Sequence, residues 1–300
     1  MLKIAVLLTC HNRQKKTETC LKSLQASLKQ EGINKTVQAE IFLTDDGCTD
    51  DTVQSARSVY PDEKVLHILQ GDGNLFWAGG MRFCWREAMK RHNEWDYYLL
   101  LNDDTELMTN VFGELFGAEN HIREKYGLNG IVSGITCATD NPNKLTYGGD
   151  VWKNKFLATR ERLKPIGKPQ MCDFTNANIL LVPKEVVDKI GIFFEGYQHG
   201  KADFDYSNMA RKAGIPVVLT ANFCGYCNFD HIDMCAVAKK VTRMTLKQRK
   251  AYFESPLHSI SDYLCFVRRT SPIRLPFVWL GRMMNLYFPK LYYRISGNRF

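Results

Sequence analysis

Apolar residues along this chain come in short unbroken runs, separated by stretches with helical periodicity. Residues 4–9, 40–44, 64–69 and 97–101 are brief and mostly continuous, the pattern of strands buried on both faces. Between the first two runs, residues 15–29 set Leu21, Leu24 and Leu28 on one helical face and lysines on the other. Residues 52–58 and 81–91 carry the next two helical patterns. This alternation predicts an α/β fold whose Rossmann-like, mostly parallel central sheet is flanked by helices and doubly wound over residues 1–105.

Past residue 105 the order loosens. Helices are expected over 111–126, over 184–190 behind Pro183, and over 203–213 ahead of Gly214; strands are expected over 130–136, 174–182 and 216–220. Residues 140–169, rich in Gly, Pro, Asn and Lys, predict a long loop or small hairpin bordering a site. The expected organisation is one domain over 1–235, with halves 1–105 and 106–235, and a helical tail over 236–300.

Composition changes the picture mainly in that tail. Of a net charge of +8, residues 236–300 hold thirteen Lys/Arg against two acids, so the first 235 residues carry about −3. Eleven aromatics are interleaved with the basic residues over 251–300. Pro276 and Pro289 bracket twelve residues, roughly 18 Å of helix, too short to span a bilayer. Such a segment suits the headgroup region of an anionic membrane; a basic helical pair packed on the domain explains it equally. No recognition motif accompanies the charge, so nucleic acid is not an expected partner. Ten scattered cysteines with no secretory segment ahead of the first strand read as reduced thiols of a cytoplasmic protein, peripheral at most on the inner face of the membrane.

Three acidic clusters carry the candidate chemistry. Asp45 and Asp46 in FLTDDGCTDDT, and Asn102, Asp103 and Asp104 in YYLLLNDDTEL, end strand-like runs, where open α/β sheets bind ligands. Asp203 and Asp205 open a helix in GKADFDYSNMARKAG; at i and i+2 they do not share a face, so one is expected to meet the cleft. Turn and cap chemistry accounts for Gly47, Thr49 and Asp50, but not for paired acids at strand ends. Asp104, with Asp103, is the expected ligand of a divalent metal, Mg²⁺ or Mn²⁺, which one or two carboxylates and substrate phosphates typically hold. A cleft-facing Asp203, with Asp205 as fallback, could serve as general base. Gly79 and Gly80, in GDGNLFWAGGMR with Asn74, would let backbone N–H groups approach a phosphate or sugar, although no GxGxxG or P-loop spacing is present. His199 and His231 are weaker metal candidates. Cys224, Cys227, His231 and Cys235 approximate a zinc knuckle, against the alternative of buried free thiols.

In this order, IAVLLTCHNR, DDGCTDDT, GNLFWAGGM, LLLNDDT and the ADFDY helix resemble a family-2 glycosyltransferase of the GT-A fold, in the bacterial surface-polysaccharide, rhamnosyltransferase-like branch. The resemblance covers roughly residues 3–230. It implies that Thr9, Asn12, Arg13, Asp45 and Asp46 contact a nucleotide-sugar donor, that Asn102-Asp103-Asp104 is the DxD-type motif with Asp104 on the metal, and that Asp203 is the base of an inverting displacement. The acceptor so implied is a saccharide or lipid-linked saccharide. Three positions depart from the pattern: Ala202 replaces a Glu, Asn102 replaces the first Asp, and Arg82 only approximates an ARN ending. A sugar-nucleotide nucleotidyltransferase is the rival enzyme, but TCHNRQKK lacks the glycine-rich loop expected after its first strand. A non-catalytic zinc- or membrane-binding adaptor is the rival outside enzymes.

Overall fold

The computed structural model describes residues 1–155, 157–229 and 234–296. The first strands are β1 (Leu2–Cys10), β2 (Val37–Asp45), β3 (Leu66–Gln70) and β4 (Tyr97–Leu101), with helices α1 (Gln14–Leu28), α2 (Ile33–Thr36), α3 (Thr52–Val59) and α4 (Phe76–Met89) between them. β1 pairs in parallel with both β2 and β4, and β2 pairs in parallel with β3. From β1 the chain therefore steps outward to β2 and β3, then returns to lay β4 on the other side. The crevice at the carboxyl ends of β1 and β4 is a topological switch point.

The second half completes the sheet with β5 (Glu106–Leu107), helix α5 (Val111–Tyr126), β6 (Ile131–Cys137), and a hairpin of β7 (Gly149–Asn154) and β8 (Thr159–Arg162). Then come β9 (Gln170–Met171), β10 (Phe174–Thr175), β11 (Ile179–Pro183), helices α6 (Lys184–Ile190) and α7 (Ala202–Lys212), and β12 (Val217–Tyr226). The central order is β3-β2-β1-β4-β11-β6-β12-β5, with β9 on β12, and β10-β7-β8 form a second small sheet. β11 runs antiparallel to β4 and β6, so the sheet is parallel on one side and mixed on the other.

Ile4 to Leu8 are wholly buried, alternating between two cores. Ala5, Leu7, Met81, Trp85 and Tyr98 pack on one face; Ile4, Val6, Leu8, Leu21, Leu24 and Phe112 pack on the other. Helices on both faces are the reason the strands read as continuous apolar runs. Each such side chain stabilises the fold by about 1.5–3 kcal/mol.

Two boundaries differ from the sequence reading. The strand expected over 174–182 is two strands in two sheets, because the chain turns at Asn176-Ala177-Asn178 and carries its polar groups to the site. The helix expected from residue 81 begins at Phe76, because a distant carboxylate, Asp46, takes the backbone N–H groups of Gly73, Leu75 and Phe76.

The tail forms α8 (Met234–Arg243), α9 (Leu246–Glu254), α10 (Ile260–Thr270), α11 (Leu275–Tyr287) and α12 (Pro289–Ile295). Thr245 and Gln248 make a capping box at α9. α10 joins the main body: Phe266 enters the core beside Phe174, and Arg269 pairs with the buried Asp205 of α7. Ala238, Val241, Phe253, Leu286 and Tyr293 build a separate small core. Among the described residues no helix is long and apolar enough to cross a membrane.

Candidate active site

A cleft of ≈ 550 Å³ opens at the switch point. β1 contributes Thr9 and Cys10, the following loop Arg13, and the end of β4 Asn102, Asp103 and Asp104. The opposite wall carries Asn176, Asn178, His199, Lys201, Asp203 and Phe204, from the turn after β10 and the start of α7.

The two sides differ electrostatically. Asp103 is buried under Asp104; burial, then the Asp104 charge, push its carboxyl up to about 6, although Arg13 opposes the shift. Arg13 Nη1 donates to Asp103 Oδ1 at 3.2 Å and to Asp104 Oδ2 at 2.9 Å, and Lys16 Nζ lies 4.0 Å from Asp104 Oδ2. A guanidinium thus occupies the place where the acid pair calls for a cation. Asp104 is the more open of the two, with 19% of its side chain exposed against 8% for Asp103. Asp104 with Asp103 behind it is therefore a donor set suited to Mg²⁺ or Mn²⁺ completed by substrate oxygens. His199 makes no compact metal set with this pair. Among the described residues, the one group of three His, Cys, Asp or Glu ligand atoms within 4.8 Å of one another is Cys10, Asp45 and Cys48, beneath the turn.

Across the cleft, Asp203 Oδ1 accepts the N–H of Phe204 at 2.8 Å, and Oδ2 accepts the N–H of Ala177 at 3.3 Å. Burial raises its pKa above the ordinary value for an aspartate, against these hydrogen bonds. Asp205 faces away, 1% exposed, and is paired with Arg269. One acid of the pair thus lines the cleft and the other anchors the tail.

Several expected donor contacts are placed otherwise. Asn12, at φ +51°, turns its Oδ1 to the N–H groups of Thr49 (2.7 Å) and Asp50 (3.3 Å). Asp45 Oδ1 accepts the Cys48 N–H at 2.7 Å. Asn74 folds back on Asp72. Gly79 and Gly80 lie inside α4, not ahead of it: a Cβ on Gly80 would meet Thr9 Oγ1 at 2.2 Å, so its role is close helix-to-strand packing. None of these five residues lines the cleft. Asp46 does line it, but both its oxygens hold the 73–76 loop. Asn102 acts through its Oδ1, which accepts the Trp77 indole N–H at 2.8 Å.

For the zinc motif, Cys224 donates toward Thr220 in the core while Cys227 points to Asp104 Oδ1 at 3.6 Å, so the two thiols do not converge. His231 lies outside the described residues.

The sequence reading missed Trp77, Tyr147, Asn176, Asn178 and Lys201, all of which line the cleft. The only local signal was Asn-Ala-Asn interrupting an apolar run. His199 Nδ1 and Asn176 Oδ1 are buried without partners, and Phe76 and Lys201 hold positive φ of +54° and +74°. Orphaned polar atoms and strained backbone of this kind are features that ligand sites commonly carry.

A switch-point cleft with an acid pair on one wall and a buried aspartate on the other marks an α/β protein with its ligand site at the strand ends. The family model for glycosyl transferase family 2 matches residues 5–176, and the chain belongs to that family. Its fold is similar to that of GalNAc-T7, solved with UDP, GalNAc and Mn²⁺, at a TM-score of 0.63 and 12% identity over 99% of this chain and 55% of that one. It is also similar to S. aureus TarS, at a TM-score of 0.53 and 14% identity over 95% of this chain and 48% of that one. The chain thus spans about half the length of these two solved chains. No curated protein sequence matches it.

Proposed function

We propose that this protein transfers a sugar from a nucleoside-diphosphate donor to a hydroxyl of a saccharide or lipid-linked saccharide, with inversion at the anomeric carbon. The observation that carries this reading is the opposition of Asp104 and Asp203 across one cleft. Asp203 takes the proton of the acceptor hydroxyl; the new bond forms from that oxygen to the anomeric carbon as the bond to the diphosphate breaks. The N–H groups of Ala177 and Phe204 fix the carboxylate, and its raised pKa makes it a better base. Asp104 and Asp103 would hold Mg²⁺ or Mn²⁺, which supplies Lewis-acid stabilisation of the leaving diphosphate. Thr9, Arg13, Asp46 and Asn102 form the donor side of the cleft in this reading.

A role in surface-polysaccharide synthesis rests on the rhamnosyltransferase-like resemblance, which puts dTDP among the first nucleotides to try. Contact with an anionic membrane, suited to a lipid-linked acceptor, is supported by the composition of α11 and α12. The test is a thermal-shift screen with UDP, dTDP, GDP and CDP, each with and without Mn²⁺. The expected outcome is stabilisation by one of them, dependent on metal and lost in Asp104→Ala. Folded protein indifferent to all four would overturn the reading.

A further inference from the structure

The acceptor-side wall carries more positive charge than the displacement requires. Phe204 follows the proposed base and lines the cleft, and two cations ride on its ring: Arg160 Cζ at 4.8 Å and Lys201 Nζ at 5.0 Å from the centroid. Lys201 is held in the left-handed region at φ +74°, and among the described residues no carboxylate lies within ion-pairing reach of its Nζ. Burial lowers its pKa, against the opposing charges of Asp203 and Asp150, and the Arg160 charge acts in the same direction as burial. Arg160 belongs to β8, whose other arginine, Arg162, also turns inward. Both meet one carboxylate, Asp150, with Arg160 Nη1 at 3.5 Å from Oδ2 and Arg162 Nε bonded to Oδ1. Even with Asp203 ionised, the three cations Arg160, Arg162 and Lys201 outnumber the two acids, Asp150 and Asp203, beside them.

The two arginines and Asp150 border a second cavity of ≈ 490 Å³, lined also by Thr146 and Phe229, whereas Lys201 lines the main cleft. The ring of Phe229 lies 5.1 Å from that of Tyr147, a residue of the main cleft, so the two hollows are neighbours. The donor diphosphate has its own partners at the other wall, where Arg13 meets Asp103 and Asp104. A second cationic hollow, on a different sheet and beyond the base, calls for a second anion. Arginine forks stacked on aromatic faces suit phosphate esters.

We propose that Arg160, Arg162 and Lys201 form a phosphate subsite for the acceptor, which carries a phosphate or diphosphate ester next to the sugar bearing the reacting hydroxyl. This rests on the glycosyltransferase reading. The test uses full-length protein saturated with Mn²⁺ and the nucleoside diphosphate that stabilises it. It is titrated calorimetrically with a ten-carbon alkyl diphosphate, the monophosphate and the alcohol, all below micelle concentration. The phosphates are expected to bind at least tenfold more tightly than the alcohol. Arg160→Gln, in a side chain 30% exposed and away from the donor wall, should erase that advantage without changing nucleotide affinity. Lys201→Met is the second variant should Arg160→Gln fold poorly. Equal binding of phosphate and alcohol, or an advantage that survives both substitutions, overturns the subsite. Loss of binding to phosphatidylglycerol vesicles with soluble phosphate binding intact would assign these cations to lipid headgroups, and also overturns it. Failure of wild-type protein to bind any nucleoside diphosphate would instead remove the glycosyltransferase reading itself.

Discussion

Asp203 owes its chemistry to where it is buried. A carboxylate held by two backbone N–H groups in water would be a weaker base than free aspartate. Here desolvation outweighs those bonds, and the pKa rises. In the proposed role of base, which requires the ionised form, a raised pKa moves the acid limb of the rate profile upward, so activity is expected to fall on acidification sooner than an ordinary aspartate would allow. The expected result for Asp203→Asn is a loss of roughly 10²–10⁴-fold in kcat and of the acid limb, with nucleotide affinity retained; steady-state kinetics against pH checks it. Its neighbour Asp205, two residues on, belongs to the packing of α7 on α10.

At the scale of elements, α4 is placed by two contacts that no local pattern announces. Asp46 at the end of β2 holds the loop before it, and Gly80 lets it lie against Thr9 of β1. Gly80→Ala would bring a methyl to 2.8 Å from Thr9 Cβ and 2.2 Å from its Oγ1. The expected cost is about 1–3 kcal/mol of overpacking. Chemical denaturation should show it, and Thr9→Ala in the same chain should recover part of the loss through a positive coupling.

In the whole molecule, the tail divides its work. α10 is fastened to the main body, whereas Phe277, Trp279 and Leu280 of α11, Ile295 of α12, and the flanking Ile273 and Phe288 are more than half exposed. From residue 263 onward the chain has seven Lys/Arg and no acid, so the segment that carries these apolar residues is itself purely basic. That pairing is the physical basis for the proposed contact with an anionic lipid surface. Co-sedimentation with phosphatidylglycerol vesicles is expected at low salt, weakened by Phe277→Ser with Trp279→Ser. No binding by the wild-type protein would leave the face without a lipid role.

The first half of the sheet was legible because β1, β2 and β4 are buried on both faces and show it as apolar runs. The acid clusters were legible because a polar pair ending such a run has few other reasons to be there. What the sequence could not specify was the destination of each polar atom. Asn12, Asp45 and Asn74 read as donor contacts, yet Asn12 bonds the turn at Thr49 while Asp45 and Asn74 bond within their own turns; the same side chain can bond a loop or a ligand, and spacing does not distinguish them. The split of residues 174–183 between two sheets, the choice of Asp203 over Asp205, and the meeting of Arg160 with Lys201 around Phe204 all depend on segments far apart in the chain. Local periodicity determined which elements form; long-range packing decided which charges face the cleft.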